Sequence, residues 1–145
     1  MVRKADDRTL SDAAALAARL WPGHADGELL EEFSDALNTG EAAFFLKYQE
    51  DDVPVGFAQC QLRHDYVEGT SGSPVGYLEG VYVEEPFRRR GYARELLRAC
   101  EEWARSKGCR EIASDCTIDN HDSFLFHTGA GFMEAGRIIC FTKKL

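Results

Sequence analysis

The residues best suited to chemistry in this 145-residue chain lie together between Tyr77 and Leu97, in the run YLEGVYVEEPFRRRGYARELL. Tyr77 to Val83 reads as a buried strand, Pro86 marks a turn, and Arg88, Arg89, Arg90 and Arg94 surround Gly91 and Ala93 at the start of a helix. A strand turning into a helix this way aims several backbone N–H groups in one direction, because the first helical turn leaves its donors unpaired and its dipole favours an anion. Gly91 and Ala93 let a ligand approach the backbone closely. The implied chemistry is phosphate binding, with a plain basic helix start as the alternative. The spacing is neither that of a nucleoside-triphosphate P-loop nor that of a dinucleotide fingerprint. Glu79 stands in the same strand, at alternate spacing with Val81 and Val83, which predicts that it faces their side. A carboxylate there needs either an internal partner or a cationic ligand.

The elements that must position these residues follow from apolar spacing. A short strand near Val2 to Ala5 precedes a helix carrying Leu10, Ala13, Ala14, Ala17, Leu20 and Trp21 on one face, stopped by Pro22-Gly23. A second helix, from about Asp26, turns Leu29, Leu30, Phe33 and Leu37 inward and ends at Asn38 and Gly40. Ala42 to Tyr48 and Val55 to Arg63 form a hairpin broken at Glu50 to Pro54, and a Gly/Ser-rich loop from Asp65 to Pro74 leads into the central strand. The helix after Gly91 ends near Ser106 to Gly108. Glu111 to Cys116 is a strand, Asn120 to Thr128 a helix closed by Gly129 to Gly131, and Ile138 to Thr142 a final strand. The fold class is α/β (α+β), with a mixed sheet that is parallel across helical crossovers and antiparallel across hairpins.

Composition narrows the function. An apolar content of 44% over 145 residues fits one domain, residues 1–145, with a proper core. Seventeen Lys and Arg against twenty-five Asp and Glu give a net charge of −8, which disfavours nucleic acid and anionic membranes and either favours a cationic partner or simply keeps the protein soluble. No apolar run is long enough to span a bilayer and no secretory signal is evident, so a cytoplasmic protein is expected. Cys60, Cys100, Cys109, Cys116 and Cys140 are scattered, contain no C-x-x-C, and read as reduced residues without structural zinc; no metal is expected.

Arg88-x-x-Gly91-x-Ala93, with Asn120 and, eleven residues later, Gly131-Phe132, resembles the GNAT superfamily of acetyl-CoA-dependent N-acetyltransferases over nearly the whole chain. Leu20-Trp21-Pro22-Gly23-His24, Arg63-His64-Asp65-Tyr66-Val67, Leu78-Glu79-Gly80-Val81, Gly108-Cys109-Arg110-Glu111 and Ala113-Ser114-Asp115 are similar to the small, homodimeric bacterial aminoglycoside 6'-N-acetyltransferases. That resemblance implies a GNAT fold with splayed parallel strands, acetyl-CoA as co-substrate, a cationic aminoglycoside as acceptor, and a homodimer; the alternatives are another small-molecule or protein amine as acceptor, or an acyl-CoA-binding module without turnover.

It also implies roles. Val81 and Val83 offer backbone groups to the pantetheine arm, the N–H groups of about Arg89 to Arg94 hold the pyrophosphate, and the Asn120 side chain bonds the arm. Arg88 belongs to the cofactor signature. Trp21, Tyr66, Glu79 and Asp115 bind the aminoglycoside; without the resemblance Trp21 reads as packing, Tyr66 as a surface residue and Asp115 as a turn cap. A backbone N–H near Tyr82 polarises the thioester carbonyl, and Glu79 is the candidate for taking the amine proton, although its charge also stabilises the ammonium form. Two departures stand out. His127 occupies the place of a frequent family Tyr that protonates the leaving thiolate, so it either serves as that acid or packs on its helix. Gly136 replaces an acidic substrate-binding residue of the subfamily, with Glu134 two positions away.

Overall fold

A computed structural model describes residues 1–145. Its elements run β1 (Val2–Lys4), α1 (Leu10–Leu20), α2 (Glu28–Asn38), β2 (Ala42–Tyr48), β3 (Pro54–Arg63), β4 (Val75–Val83), a 3₁₀ turn (Glu85–Phe87), α3 (Tyr92–Ser106), β5 (Ile112–Ser114) and α4 (His121–Gly129). One sheet has the order β1-β2-β3-β4-β5. Its first three junctions are antiparallel, and β4 and β5 are parallel across the α3 crossover. No helix is long and apolar enough to cross a membrane.

Two apolar layers sandwich the sheet, and β2 shows why. All seven of its residues are buried, and they alternate between the faces. Ala42, Phe44, Leu46 and Tyr48 join Leu10, Ala13, Ala17, Leu29 and Phe33 of α1 and α2, where the rings of Phe33 and Phe44 lie 4.4 Å apart. Ala43 and Phe45 join Leu96, Leu97, Cys100 and Trp103 of α3 on the other face. Lys47, also on the α3 side, is buried and forms an ion pair with Glu95 at 2.8 Å. Burial opposes its charge, yet the hydrogen bond to Glu95 holds the ammonium above its usual range.

Close approach rests on two glycines of β4. A Cβ on Gly76 would lie 2.7 Å from the Ala104 Cβ, so the glycine lets α3 settle on the strand. A Cβ on Gly80 would lie 2.6 Å from Trp21 Cζ2 and Cη2, so this one makes room for an indole on the opposite face.

Three expectations change. The strand anticipated at Ile138 to Thr142 does not form: residues 132–145 have no regular structure, and Ile138, Ile139 and Phe141 are more than 80% exposed. A strand needs a neighbour, and this segment finds none within the chain. The anticipated strand Glu111–Cys116 shortens to Ile112–Ser114. Glu79 does not face the side of Val81 and Val83. In the β3–β4 ladder Gln59 opposes Gly80 while Cys60 opposes Leu78, leaving Glu79 as an extra residue in a β-bulge. Val81 and Val83 pack toward α3, whereas Glu79 turns to the α1/α2 face.

Candidate functional site

β4 is paired with β5 only through Gly76, Tyr77 and Leu78. From Glu79 to Val83 its outer edge has no neighbouring strand. The Glu84 N–H donates to the Val55 carbonyl, and residues of an antiparallel pair alternate in hydrogen bonding. Main-chain groups of Glu84, Tyr82 and Gly80 therefore face β3, and those of Val83 and Val81 face the open edge. Of the outward carbonyls, that of Val83 accepts from Arg88 Nε at 2.7 Å. The N–H groups near Tyr82 that point outward are thus those of its two neighbours, while its phenol stands 3.4 Å from Glu84 Oε2.

The chain then bends into the start of α3 through two left-handed residues, Arg89 at φ 64° and Gly91 at φ 81°. A left-handed conformation is unusual for Arg and strained by about 1 kcal/mol. Gly91 caps α3 without a side-chain hydrogen bond, and no N–H from Arg89 to Arg94 donates to a backbone carbonyl. Six consecutive donors at a helix N-terminus are left without an acceptor in the chain, an arrangement suited to an anion. The arginine side chains divide. Arg88 is tied to β4, Arg94 Nη2 donates to the Gly129 carbonyl at 2.8 Å, and Arg90 lies over the Phe87 ring. Open strand edge and cradle in sequence fit an extended amide-bearing arm ending in a pyrophosphate.

On the other face of β4 a cavity of about 380 Å³ is lined by Trp21, His24, Glu32, Gln59, Gln61 and Glu79, with Leu29, Phe33 and Ala36 of α2 behind them. Trp21 ends α1, packs edge-on against Phe57 at 6.0 Å, and rests on Gly80. Glu79 has an internal partner: Arg63 Nη2 donates to its Oε1 at 2.9 Å and to Oε2 at 3.0 Å, and Arg63 Nε to Oε1 at 3.2 Å. The same guanidinium lies 3.4 Å from the centre of the Tyr77 ring, whose hydroxyl donates to Asp115. Burial and the adjacent Asp115 push the Tyr77 hydroxyl pKa well above its ordinary value. Glu79 and Asp115 are therefore joined through Arg63 and Tyr77. His24, Glu28 and Glu32 place metal-ligand atoms within 4.8 Å of one another, but all three are exposed. Glu28 accepts from the Ala25 N–H, and His24 Nδ1 lies 3.1 Å from the Trp21 carbonyl.

Among the other expected residues, Tyr66 is 77% exposed and does not line the cavity. Asn120 caps α4, its Oδ1 accepting from the Ser123 N–H at 3.1 Å, which leaves its amide hydrogens free to donate. His127 both packs and hydrogen-bonds. Its ring meets Phe126 and Phe132 edge-on, Nδ1 donates to the Ser123 carbonyl at 2.6 Å, and Nε2 lies 2.8 Å from Ser114 Oγ. Ser114 Oγ in turn lies 3.1 Å from the Leu78 carbonyl, where β4 and β5 part. A Cβ on Gly136 would sit 3.6 Å from Glu68 Cγ and 3.9 Å from its Oε1, so a carboxylate of the β3–β4 loop lies beside that position. Sequence reasoning missed Arg63, Tyr77 and Ser114. The glycine directly after Glu79 was the available signal for the bulge, since an isolated Gly in a strand often marks one.

A family model described as "Acetyltransferase (GNAT) family" matches residues 10–132. The chain is 44% identical over 140 residues to an aminoglycoside N(6')-acetyltransferase type 1 of Stenotrophomonas maltophilia, covering 94% of this chain and 90% of that protein. It is 39% identical over 143 residues to one of Salmonella enteritidis, covering 99% and 98%. A solved structure of AAC(6')-Iy with the bisubstrate analogue CoA-S-monomethyl-acetylneamine superposes with a TM-score of 0.94 at 39% identity, covering 100% of this chain and 98% of that one.

Proposed function

The chain belongs to the GNAT acetyltransferase family, and from that premise we propose that it transfers the acetyl group of acetyl-CoA to the 6'-amino group of aminoglycoside antibiotics, conferring resistance. The observation that carries this reading is the use of β4 on two sides. An open edge running into an anion cradle fits the co-substrate, and the acidic cavity holding Glu79 fits a polycationic amine.

Acetyl-CoA supplies the acyl group as an activated thioester. Val81 and Val83 hold its arm through their outward main-chain groups, the donors of Arg89 to Arg94 take its phosphates, and Asn120 donates an amide hydrogen. Trp21 walls the sugar rings, and Glu79 and Asp115 orient the amines; Tyr66, outside the cavity, takes no part in this reading. Positioning both reactants against one strand contributes a large share of the rate. Ser114 and His127 form a hydrogen-bonded pair at the point where β4 and β5 part, where His127 is the candidate acid for the leaving thiolate. Glu68 supplies, beside Gly136, the carboxylate that the resemblance expects there.

The assembly follows from the apolar tail. Ile138, Ile139 and Phe141 stand exposed beyond α4, and β5 keeps its outer edge unpaired. A homodimer in which this segment pairs with a second copy removes both liabilities. We place this one-domain enzyme in the cytoplasm with no nucleic-acid or membrane partner, as its charge of −8 favours.

The deciding measurement is thiol release from acetyl-CoA with kanamycin or tobramycin, set against spermidine and peptide amines. Aminoglycosides are expected to be used far more efficiently; release no higher than with buffer, while acetyl-CoA still binds, refutes the proposal. In sedimentation analysis the chain is expected to run as a dimer and Phe141→Asp as a monomer.

A further inference from the structure

Glu79 faces a contradiction if it receives an amine. A bare carboxylate stabilises the ammonium form, and that form has no lone pair with which to attack. The site contains a feature that answers it. The Arg63 guanidinium spans both oxygens of Glu79, is stacked on Tyr77, and is only 42% exposed against 23% for Glu79.

This guanidinium is held in place from three sides. Arg63 is the last residue of β3, the Tyr77 ring lies beneath it, and the bulge at Glu79 presents the carboxylate beside it. The other charged or titratable groups facing this region are Asp115, bonded to the Tyr77 hydroxyl, and His24 and Glu32 on the far cavity wall. Asp115, Glu32 and Glu79 give the region its cation preference. Arg63 is the one fixed cation among them, and of the three carboxylates it touches Glu79 directly.

We infer that Arg63 is a positioning residue that keeps Glu79 partly neutralised, so that an acceptor amine finds a hydrogen-bond acceptor that does not lock it as ammonium. This rests on the reading that the site takes a cationic amine. The ammonium loses one proton to solvent; the N–C bond then forms, the C–S bond breaks, and the second amine proton ends on the departing sulfur. Overall, R–NH₃⁺ and acetyl-CoA give the amide, CoA–SH and H⁺. Arg63 bears on the first loss. It lowers binding of the ammonium form and in exchange makes the neutral amine accessible nearer neutral pH.

The test compares wild type with Arg63→Met, which keeps an unbranched apolar stem without charge, and Arg63→Lys, which keeps charge without the bidentate fork. At low salt Arg63→Met is expected to lower the KM for tobramycin about tenfold and to move the alkaline rise of kcat up by about one pH unit. Arg63→Lys is expected to keep the rise near its wild-type position. Calorimetry with tobramycin alone, without acetyl-CoA, is expected to show tighter binding to Arg63→Met. Weaker binding with an unmoved pH profile overturns the inference and makes Arg63 a brace for Glu79. If Arg63→Met does not fold, Arg63→Gln replaces it, with the same expected shift and the same refuting result. Absence of turnover with every aminoglycoside in the wild type instead refutes the functional proposal.

Discussion

Replacing Gly80 by Ala puts the acceptor side of the site under a defined strain. The new Cβ would stand 2.6 Å from two carbons of the Trp21 indole and 3.1 Å from Leu20 Cδ2. Carbon contacts settle at about 3.5–4.0 Å, so the indole must retreat by roughly 1 Å into the cavity it lines. Overpacking of this kind costs about 1–3 kcal/mol. Gly80 has no left-handed φ, so no backbone penalty adds to it. The expected loss is therefore about 2 kcal/mol in urea unfolding, with KM for tobramycin raised about tenfold and acetyl-CoA affinity unchanged, since the cradle lies on the other side of the strand. The clash assigns this cost to one side chain. In a Trp21→Ala background the same substitution should cost no more than about 0.5 kcal/mol, giving a coupling of about 1.5 kcal/mol in the double-mutant cycle. Equal costs in the two backgrounds refute the account of Gly80 as the seat of the indole.

Three further outcomes are expected. Asp115→Asn should raise KM for aminoglycosides at least about tenfold while calorimetric acetyl-CoA binding holds, because the Asn can still accept from the Tyr77 hydroxyl but carries no charge. Gly91→Ala forces a side chain into the left-handed region and should cost about 1–2 kcal/mol, read as a Tm loss, together with weaker acetyl-CoA binding. Tyr77 adds a pH dependence. Its pKa is raised in the folded protein, so its contribution is complete below the ordinary tyrosine pKa and is lost as pH climbs through the folded value. Thermal stability should therefore fall more steeply in strongly alkaline buffer for wild type than for Tyr77→Phe.

What the chain disclosed before folding was local. Helical spacing in α1, α2 and α3, the unbroken apolar run of β2, and Gly91 at a basic helix start each depend on near neighbours, and each appears where expected. Arg63 and Glu79 meet only through the β3–β4 register, and that register contains a bulge, which reverses the face of every side chain on one side of it. Period-two reasoning therefore put Glu79 on the wrong face. The segment Ile138 to Thr142 has the composition of a strand, yet composition cannot supply the partner a strand requires.

The ion pair between Lys47 and Glu95 bears on the N-terminus of α3. Glu95 belongs to the first turn of α3, where a carboxylate suits the helix dipole but opposes any anion brought to the same N–H groups. Lys47 reaches from β2 through the core to meet that carboxylate, and its ammonium also lies 4.3 Å from the centre of the Tyr92 ring. The pair is locally neutral. The helix keeps its acidic first turn while the charge of that turn is offset by a lysine screened from solvent.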